Sequence, residues 1–341
     1  MTRLRWGILG TGWIARHFAN DLNIAGLAVS AVGSRRREVA EAFAREFGIS
    51  NAHGSYDDLV SDPDVDIIYV ASPNPLHAEH AFLALEHGKH VVVEKPFALN
   101  EGEAAAIRDR AAELGLFTME AMWTRYLPHM LRLHEILESG VLGDVRGVMA
   151  DHAMLLPSDP SHRLNDLALG GGALLDLGIY PISFAWDVLG APASIAAVGR
   201  LAETGADTEV SISMVHAGGG VSTSFTSSRM NGQNTAHVIG TEARIDIGSV
   251  WYRPSPFDVW SHDDTLIEHY DAEVPGRGMQ FQAIAAEQLI ASGDYTNQFQ
   301  PIDETVAIIG TLDTIRRQIG VVYPGEGSAD ATREPALQAK A

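Results

Sequence analysis

The chain has 341 residues, 46% apolar and 20% charged, a globular composition too long for one ordinary core, so two domains are expected. A formal charge of −20 argues against nucleic acid and anionic membrane surfaces as main partners. The absence of cysteine excludes disulfides, thiolate chemistry and cysteine-ligated metals.

No apolar run approaches the length of a membrane span, and the apolar start is broken by Gly10 and Gly12 with no cleavage site behind it. A cytoplasmic protein is the resulting expectation. Within the first 121 residues, strand-like runs at 4–9, 28–32, 66–71, 90–93 and 117–119 alternate with helical stretches at 38–47, 78–86 and 101–114. Short, continuously apolar strands separated by amphipathic helices predict a doubly wound parallel sheet, an α/β Rossmann domain over 1–121.

From residue 122 the pattern changes. Helices are expected near 127–139, 173–189 and 279–292, and strands at 145–155, 194–201, 221–228, 235–240 and 244–251. Gly218-Gly219-Gly220 and Asn231-Gly232 read as hairpin turns. The expectation is an α+β domain over 122–324, with a large, mainly antiparallel sheet that carries helices on one face and is open on the other. Residues 325–341, rich in Gly, Ala, Pro and charge, read as a mobile tail.

The segment Gly10-Thr11-Gly12-Trp13-Ile14-Ala15 follows the first strand and opens a helix. Gly10 allows the tight turn, Gly12 lets a pyrophosphate approach the backbone, and Ala15 lets the helix pack close to the sheet. At the tip of the second strand, Ser34-Arg35-Arg36 stands where an NAD enzyme would carry a carboxylate for the ribose hydroxyl. Guanidinium groups suit a 2′-phosphate instead, so NADP is the expected cofactor, with NAD possible. The third candidate strand ends in Ser72-Pro73-Asn74-Pro75-Leu76-His77, and the fourth in Glu94-Lys95-Pro96. Gly170-Gly171-Gly172-Ala173-Leu174-Leu175-Asp176-Leu177-Gly178-Ile179-Tyr180 lies in the second domain.

These four motifs, in this order, resemble the Gfo/Idh/MocA oxidoreductase family from about residue 4 to residue 324. Met119–Tyr126 and Arg316–Pro324 resemble its branch of dimeric dihydrodiol dehydrogenase and D-xylose dehydrogenase. The resemblance implies that Lys95, often followed by a cis proline bond, lies beside the nicotinamide. It also implies that Asn74 and His77 line that end of the cofactor cleft and that Asp176 and Tyr180 face it from the second domain.

Hydride transfer to or from a secondary alcohol needs a proton carrier at the same oxygen. A tyrosine, ordinarily with a pKa of about 10, serves if an ammonium such as Lys95 lowers that value. Tyr180 is therefore expected as acid/base, Lys95 as the polarising partner and Asp176 as the orienting group. The roles of Lys95 and Tyr180 remain exchangeable. Ser72, Pro73, Asn74, His77, Glu94 and Lys95 complete the expected cofactor site with Gly10, Thr11, Gly12, Trp13, Ile14, Ser34, Arg35 and Arg36. Trp123, Arg125 and Arg163 are candidates for contact with a polyol or sugar-like substrate. The fourteen histidines show no metal-ligand spacing, so no metal is expected. Two other readings stand beside a dehydrogenase: sugar–sugar exchange on tightly held NADP, and an NADP-sensing regulator.

Finally, Val210, Ile212 and Met214 alternate with Glu209, Ser211 and Ser213, and Val221, Thr223 and Phe225 with Ser222, Ser224 and Thr226. A sheet face rich in Ser and Thr and poor in charge predicts a homodimer or higher assembly through the open face, with Ser224 taken as an outward position.

Overall fold

The structure is a computed structural model that describes residues 3–326, so the tail expected at 325–341 lies outside the described residues beyond Glu326. The first sheet joins β1 (Arg5–Leu9), β2 (Ala28–Gly33), β3 (Asn51–His53), β4 (Ile67–Val70), β5 (His90–Glu94) and β6 (Thr118–Ala121) in the order β3-β2-β1-β4-β5-β6. Every pairing is parallel. Helices α1 (Trp13–Ala25), α2 (Arg37–Phe47), α3 (Tyr56–Val60), α4 (His77–Glu86) and α5 (Glu101–Leu114) form the crossovers. Ile8, Leu9, Ile67, Val70 and Val91–Val93 are fully buried, as strands covered on both faces require. Strand order reverses between β1 and β4, which opens a crevice at their carboxyl ends. The three-residue edge strand β3 is too short to leave a period and was not anticipated.

The second half contains α6 (Pro128–Glu138), β7 (Val145–Ala153), α7 (Ile179–Leu189), β8 (Pro192–Leu201), β9 (Asp207–His216), β10 (Val221–Ser227), β11 (Ala236–Gly240), β12 (Ala243–Ile247), β13 (Phe257–Ser261), β14 (Leu266–Tyr270), α8 (Gln280–Ser292) and α9 (Ile302–Ile319). Its eight strands run β14-β13-β12-β11-β7-β10-β9-β8, antiparallel except for β7 beside β10. The α7 helix covers one face, and α9 packs on both β8 and α5, while α8 packs on α1. The α9 helix and strands β13 and β14 were not anticipated.

Three expectations need correction. Gly218-Gly219-Gly220 does join the antiparallel pair β9 and β10, but Asn231-Gly232 is no hairpin turn. Both β10 and β11 pair with β7, which lies between them, so the connection crosses a strand. Second, Ser224 is not outward-facing: it is 4% exposed, with Ser222 and Thr226 on the same helix-covered face. The helical segment comes so close here that a Cβ on Gly178 would lie 3.1 Å from Thr226 Cγ2, leaving room only for small side chains. Val221, Thr223 and Phe225 therefore take the open face beside Val215 and Ser213. Third, Leu167–Leu189 does reach the length and hydropathy of a membrane span, but 78% of its apolar window is buried inside the protein.

Arg125, a candidate for substrate contact in the sequence, sits in a buried network. It is 4% exposed, and its guanidinium pairs with Asp187 at 3.0 Å and Glu304 at 2.8 Å. It also donates to the Ser183 carbonyl at 2.7 Å and the Phe299 carbonyl at 2.9 Å. This side chain pins the chain after β6 to α7 and to the start of α9. Arg125→Met should cost ~3–5 kcal/mol by leaving buried carboxylates unpaired. Urea denaturation measures it, and a loss under about 1 kcal/mol, the size of an exposed pair, would return Arg125 to the substrate candidates.

Candidate active site

Two loops and one helical turn meet at the crevice. Gly10 has φ +109°, and a Cβ there would lie 2.7 Å from the Ala71 carbonyl oxygen, so only glycine lets the β1 loop pass the tip of β4. A Cβ on Gly12 would meet nothing within 4 Å. Helix α1 starts there with no side-chain cap and no acidic residue in its first turn. Its unpaired N–H groups face open space, with Thr11, Trp13 and Ile14 around them, Trp13 being 61% exposed. Opposite, the buried Ser72 Oγ has no partner within the protein. A free cradle of N–H donors beside an orphaned hydroxyl fits a dinucleotide pyrophosphate.

At the tip of β2, Ser34 is buried, and Arg35 and Arg36 are exposed. Arg36 meets Glu38 only at 3.9 Å with both side chains more than 70% exposed, a pair too loose to occupy it. Arg36 stands at the start of α2.

The Ser72-Pro73-Asn74 loop and the Glu94-Lys95-Pro96 loop are tied from behind. His77 is buried, and its ring nitrogens lie 2.8 Å from the Pro96 carbonyl oxygen and 2.9 Å from that of Ser72. Burial lowers its pKa to about 4, against the pull of the two carbonyls. Glu94 is also buried, between the Tyr69 hydroxyl, which donates to it, and the Lys95 N–H at 3.2 Å. Burial lifts it to about 7. His77 and Glu94 were expected in the cleft lining; they lie behind the wall and hold it in place. Glu120 does the same for the next residue, accepting from Phe97 N at 3.0 Å.

The Lys95–Pro96 peptide is cis. The Lys95 ammonium crosses to the second sheet's helical layer, donating to the Asp176 carbonyl oxygen at 2.7 Å and meeting its carboxylate at 3.4 Å. It also lies 5.1 Å from the centre of the Tyr180 ring. Burial pulls the Lys95 pKa down, but Asp176, Tyr180 and Glu94 outweigh burial and hold it above its usual value. Burial pushes Asp176 up, and Lys95 and Arg163 outweigh that to keep it ionised.

For Tyr180 the balance runs the other way from the sequence expectation. Burial raises its pKa, and Lys95 opposes this without reversing it. The phenol is therefore protonated at neutral pH. Its hydroxyl accepts from Trp123 Nε1 at 3.1 Å, so Trp123 does reach the site. Arg163, half exposed, approaches the Asp176 carboxylate at 3.5 Å.

Asp176 lies on a π-helical turn, Leu174–Gly178, that runs into α7, where Tyr180 follows four residues later. A residue missed in the sequence sets this turn: the Asp207 carboxylate accepts from Leu174 N at 2.6 Å. Gly172, at φ +140°, leaves the space that Asp207 occupies. Three more residues of the cleft went unread. The His152 ring stacks 3.8 Å from Tyr252 and lies 5.1 Å from Tyr180. Burial, then Lys95, drives its pKa down to about 3. Arg277 lies against Trp13 and Trp123. A lone histidine in a strand and an arginine between two loop glycines carry little signal in sequence.

Residues 4–121 match the oxidoreductase family with an NAD-binding Rossmann fold, and residues 130–246 match the GFO/IDH/MocA C-terminal domain. The chain is 36% identical over 334 residues to trans-1,2-dihydrobenzene-1,2-diol dehydrogenase of Mus musculus, covering 94% of this chain and 98% of that one. The Homo sapiens protein of the same name is 34% identical with the same coverage. A 3-ketoreductase from Actinomadura kijaniata, solved with NADP and TDP-benzene, superposes with a TM-score of 0.81 at 27% identity, covering 93% of this chain and 98% of its own. On both halves of the sequence and over nearly its whole length, the chain belongs to the Gfo/Idh/MocA oxidoreductase family.

Proposed function

We propose an NADP-preferring dehydrogenase or reductase that moves hydride between the nicotinamide and a secondary alcohol or ketone of a sugar, sugar derivative or cyclic vicinal diol. The observation that carries this reading is the cluster of Lys95, Asp176, Tyr180 and Trp123 beside the crevice between β1 and β4. Relatives named as dihydrodiol dehydrogenases and a 3-ketoreductase solved with NADP support the same class.

Bound cofactor supplies the hydride donor or acceptor. The chain's residues do the rest. Tyr180, protonated at neutral pH, donates to a ketone oxygen; in oxidation it takes the alcohol proton only as the phenolate, so that direction gains as pH rises toward its raised pKa. Lys95 stabilises the negative charge that develops on that oxygen, and Asp176 aims Lys95. Arg35 and Arg36 hold the 2′-phosphate, and the start of α1 holds the pyrophosphate. A regulator without chemistry would have no use for a buried ammonium and phenol at this spot. A cytoplasmic location fits an enzyme that draws on a nicotinamide pool.

Tyr180→Phe and Lys95→Ala should each lower kcat on the order of 10²-fold with NADPH still bound, as read by its fluorescence. Because the Tyr180 pKa is raised, the proton donor survives above its usual value of 10, so reduction should stay level through neutral and mildly basic pH. Near-normal turnover of the phenylalanine variant would move the proton to Lys95 or a water.

Replacing Arg35 and Arg36 together by Ala should weaken NADP by roughly 10-fold or more and leave NAD nearly unchanged, since only one cofactor carries the phosphate. Equal weakening of both removes the case for the arginine clamp.

We also propose that residues 1–121 bind the cofactor and that 122–324 bind substrate and form a homodimer through the open sheet. Met149, Val198, Val215, Val221 and Ile239 stand 37–73% exposed there, and Ser211, Ser213 and Thr223 lie among them. Exposed apolar and hydroxyl side chains in the middle of this face, with the pairs Arg200–Glu209 and Arg244–Asp246 toward its flanks, suit an isologous contact. Light scattering at micromolar concentration should give twice the chain mass. Thr223→Arg, on the open face, should return it to one chain, and an unchanged dimer would place the contact elsewhere.

A further inference from the structure

The protein carries a net charge of −20, yet its cleft presents two guanidinium groups without an ion-pair partner among the described residues. Arg277 stands between Trp13 and Trp123, with Cζ 4.9 Å and 5.6 Å from the ring centres. Arg253, near enough to act on Arg277, lies 6.0 Å from the Tyr252 ring, which is itself 5.3 Å from the Tyr180 ring. The aromatic wall thus runs Arg277, Trp123, Tyr180, Tyr252, Arg253, with the proton carrier at its centre. Among the described residues, neither arginine forms an ion pair, and the Nε atoms of both are buried without a partner.

These are not loose surface side chains. The fully buried Asp21 carboxylate accepts from Arg277 N at 3.0 Å and from Met279 N at 2.9 Å. A Cβ on Gly276 would strike that same carboxylate at 2.3 Å, and one on Gly278 would strike Leu127 at 2.3 Å. The loop is clamped against α1, with Arg277 turned toward the cleft. Asp21 is the acidic group close to Arg277, and its oxygens already accept backbone N–H bonds. Burial, then Arg253, lowers the Arg277 pKa, with Tyr180, Asp21 and Tyr252 opposing, so the surroundings leave its charge incompletely balanced. Two half-buried cations held side by side cost stability unless an anion joins them.

We infer that the substrate is itself anionic, a polyol or sugar derivative bearing a carboxylate or phosphate that Arg253 and Arg277 bind while its carbinol carbon lies at Tyr180. This rests on the hydride-transfer reading above and narrows its substrate class to acids. The anion is assigned to the substrate because Arg253 stands with Tyr252 on the Tyr180 side and Arg277 reaches from Trp13 of the cofactor loop to Trp123, whose indole bonds Tyr180. The pyrophosphate already has the N–H cradle at Gly12.

The test is calorimetric titration of the NADP complex with matched pairs: D-glucuronate and D-gluconate against D-glucose, and glucose 6-phosphate against glucose. At least one acid should bind about 10-fold or more tightly than its neutral parent, as charge-assisted bonds to two guanidinium groups require. The carboxylate and phosphate arms distinguish the two kinds of anion. In Arg253→Met and Arg277→Met that ratio should fall toward one, and Arg277→Lys should retain part of it. Two results overturn the inference: no acid that binds better than its parent in the unaltered protein, or variants that weaken NADP while the ratio persists. Turnover of the same compounds, followed by nicotinamide absorbance, tests the hydride-transfer reading separately. A neutral sugar oxidised without any preference for acids would sink only the anion pocket.

Discussion

The ammonium of Lys95 leaves the carboxyl end of β5 in one sheet and is neutralised by a residue of the layer that covers the other, Asp176. A buried charge of this kind is costly to desolvate and contributes little net stability. What it provides is geometry. The Glu94-Lys95-Pro96 loop cannot move without losing hydrogen bonds to His77, Tyr69 and Glu120, directly or through its neighbours. On the other side, the π-helical turn cannot move without losing Asp207. The distance between Lys95 and the Tyr180 ring is therefore set by packing in both halves of the molecule at once.

The same joint explains why polar residues lie so deep. Arg125 reaches Asp187 and Glu304, and Asp21 holds the loop before α8. Trp6 donates to Glu287 at 2.9 Å, tying β1 to α8. The chain leaves the Rossmann layer after β6, builds the second sheet, and returns with α8 and α9 to cover α1 and α5. A crevice walled by segments so far apart in sequence holds its shape only if these cross-links are satisfied.

Electrostatically, the molecule divides into an acidic body and a basic cleft. Lys95, Arg163, Arg253 and Arg277 gather around a site whose ionised carboxylate is Asp176. Low-dielectric aromatic walls strengthen the field of such a cluster. Burial meanwhile keeps Tyr180 and His152 uncharged, so the charge of the site rests on Lys95, Asp176 and the arginines.

Much of this was legible in the residues themselves. Apolar period and glycine placement determined the Rossmann strands, the turn at Gly10 and Gly12 and the motifs around Lys95 and Tyr180, because each depends on local backbone geometry. The open-faced sheet was legible as a class, but its inner row was not. In β10 the row of Ser222, Ser224 and Thr226 faces inward because the helical turn approaches too closely for larger side chains, a distance that alternation does not encode. Only the tertiary structure decided that Arg125 is a buried cross-link and that His77 and Glu94 stand behind the wall. It alone brought Arg253 and Arg277 to the mouth of the cleft, and it set the protonation of Tyr180. Those outcomes depend on what surrounds a side chain in space, and the surrounding residues come from segments as far apart as Asp21 and Arg277.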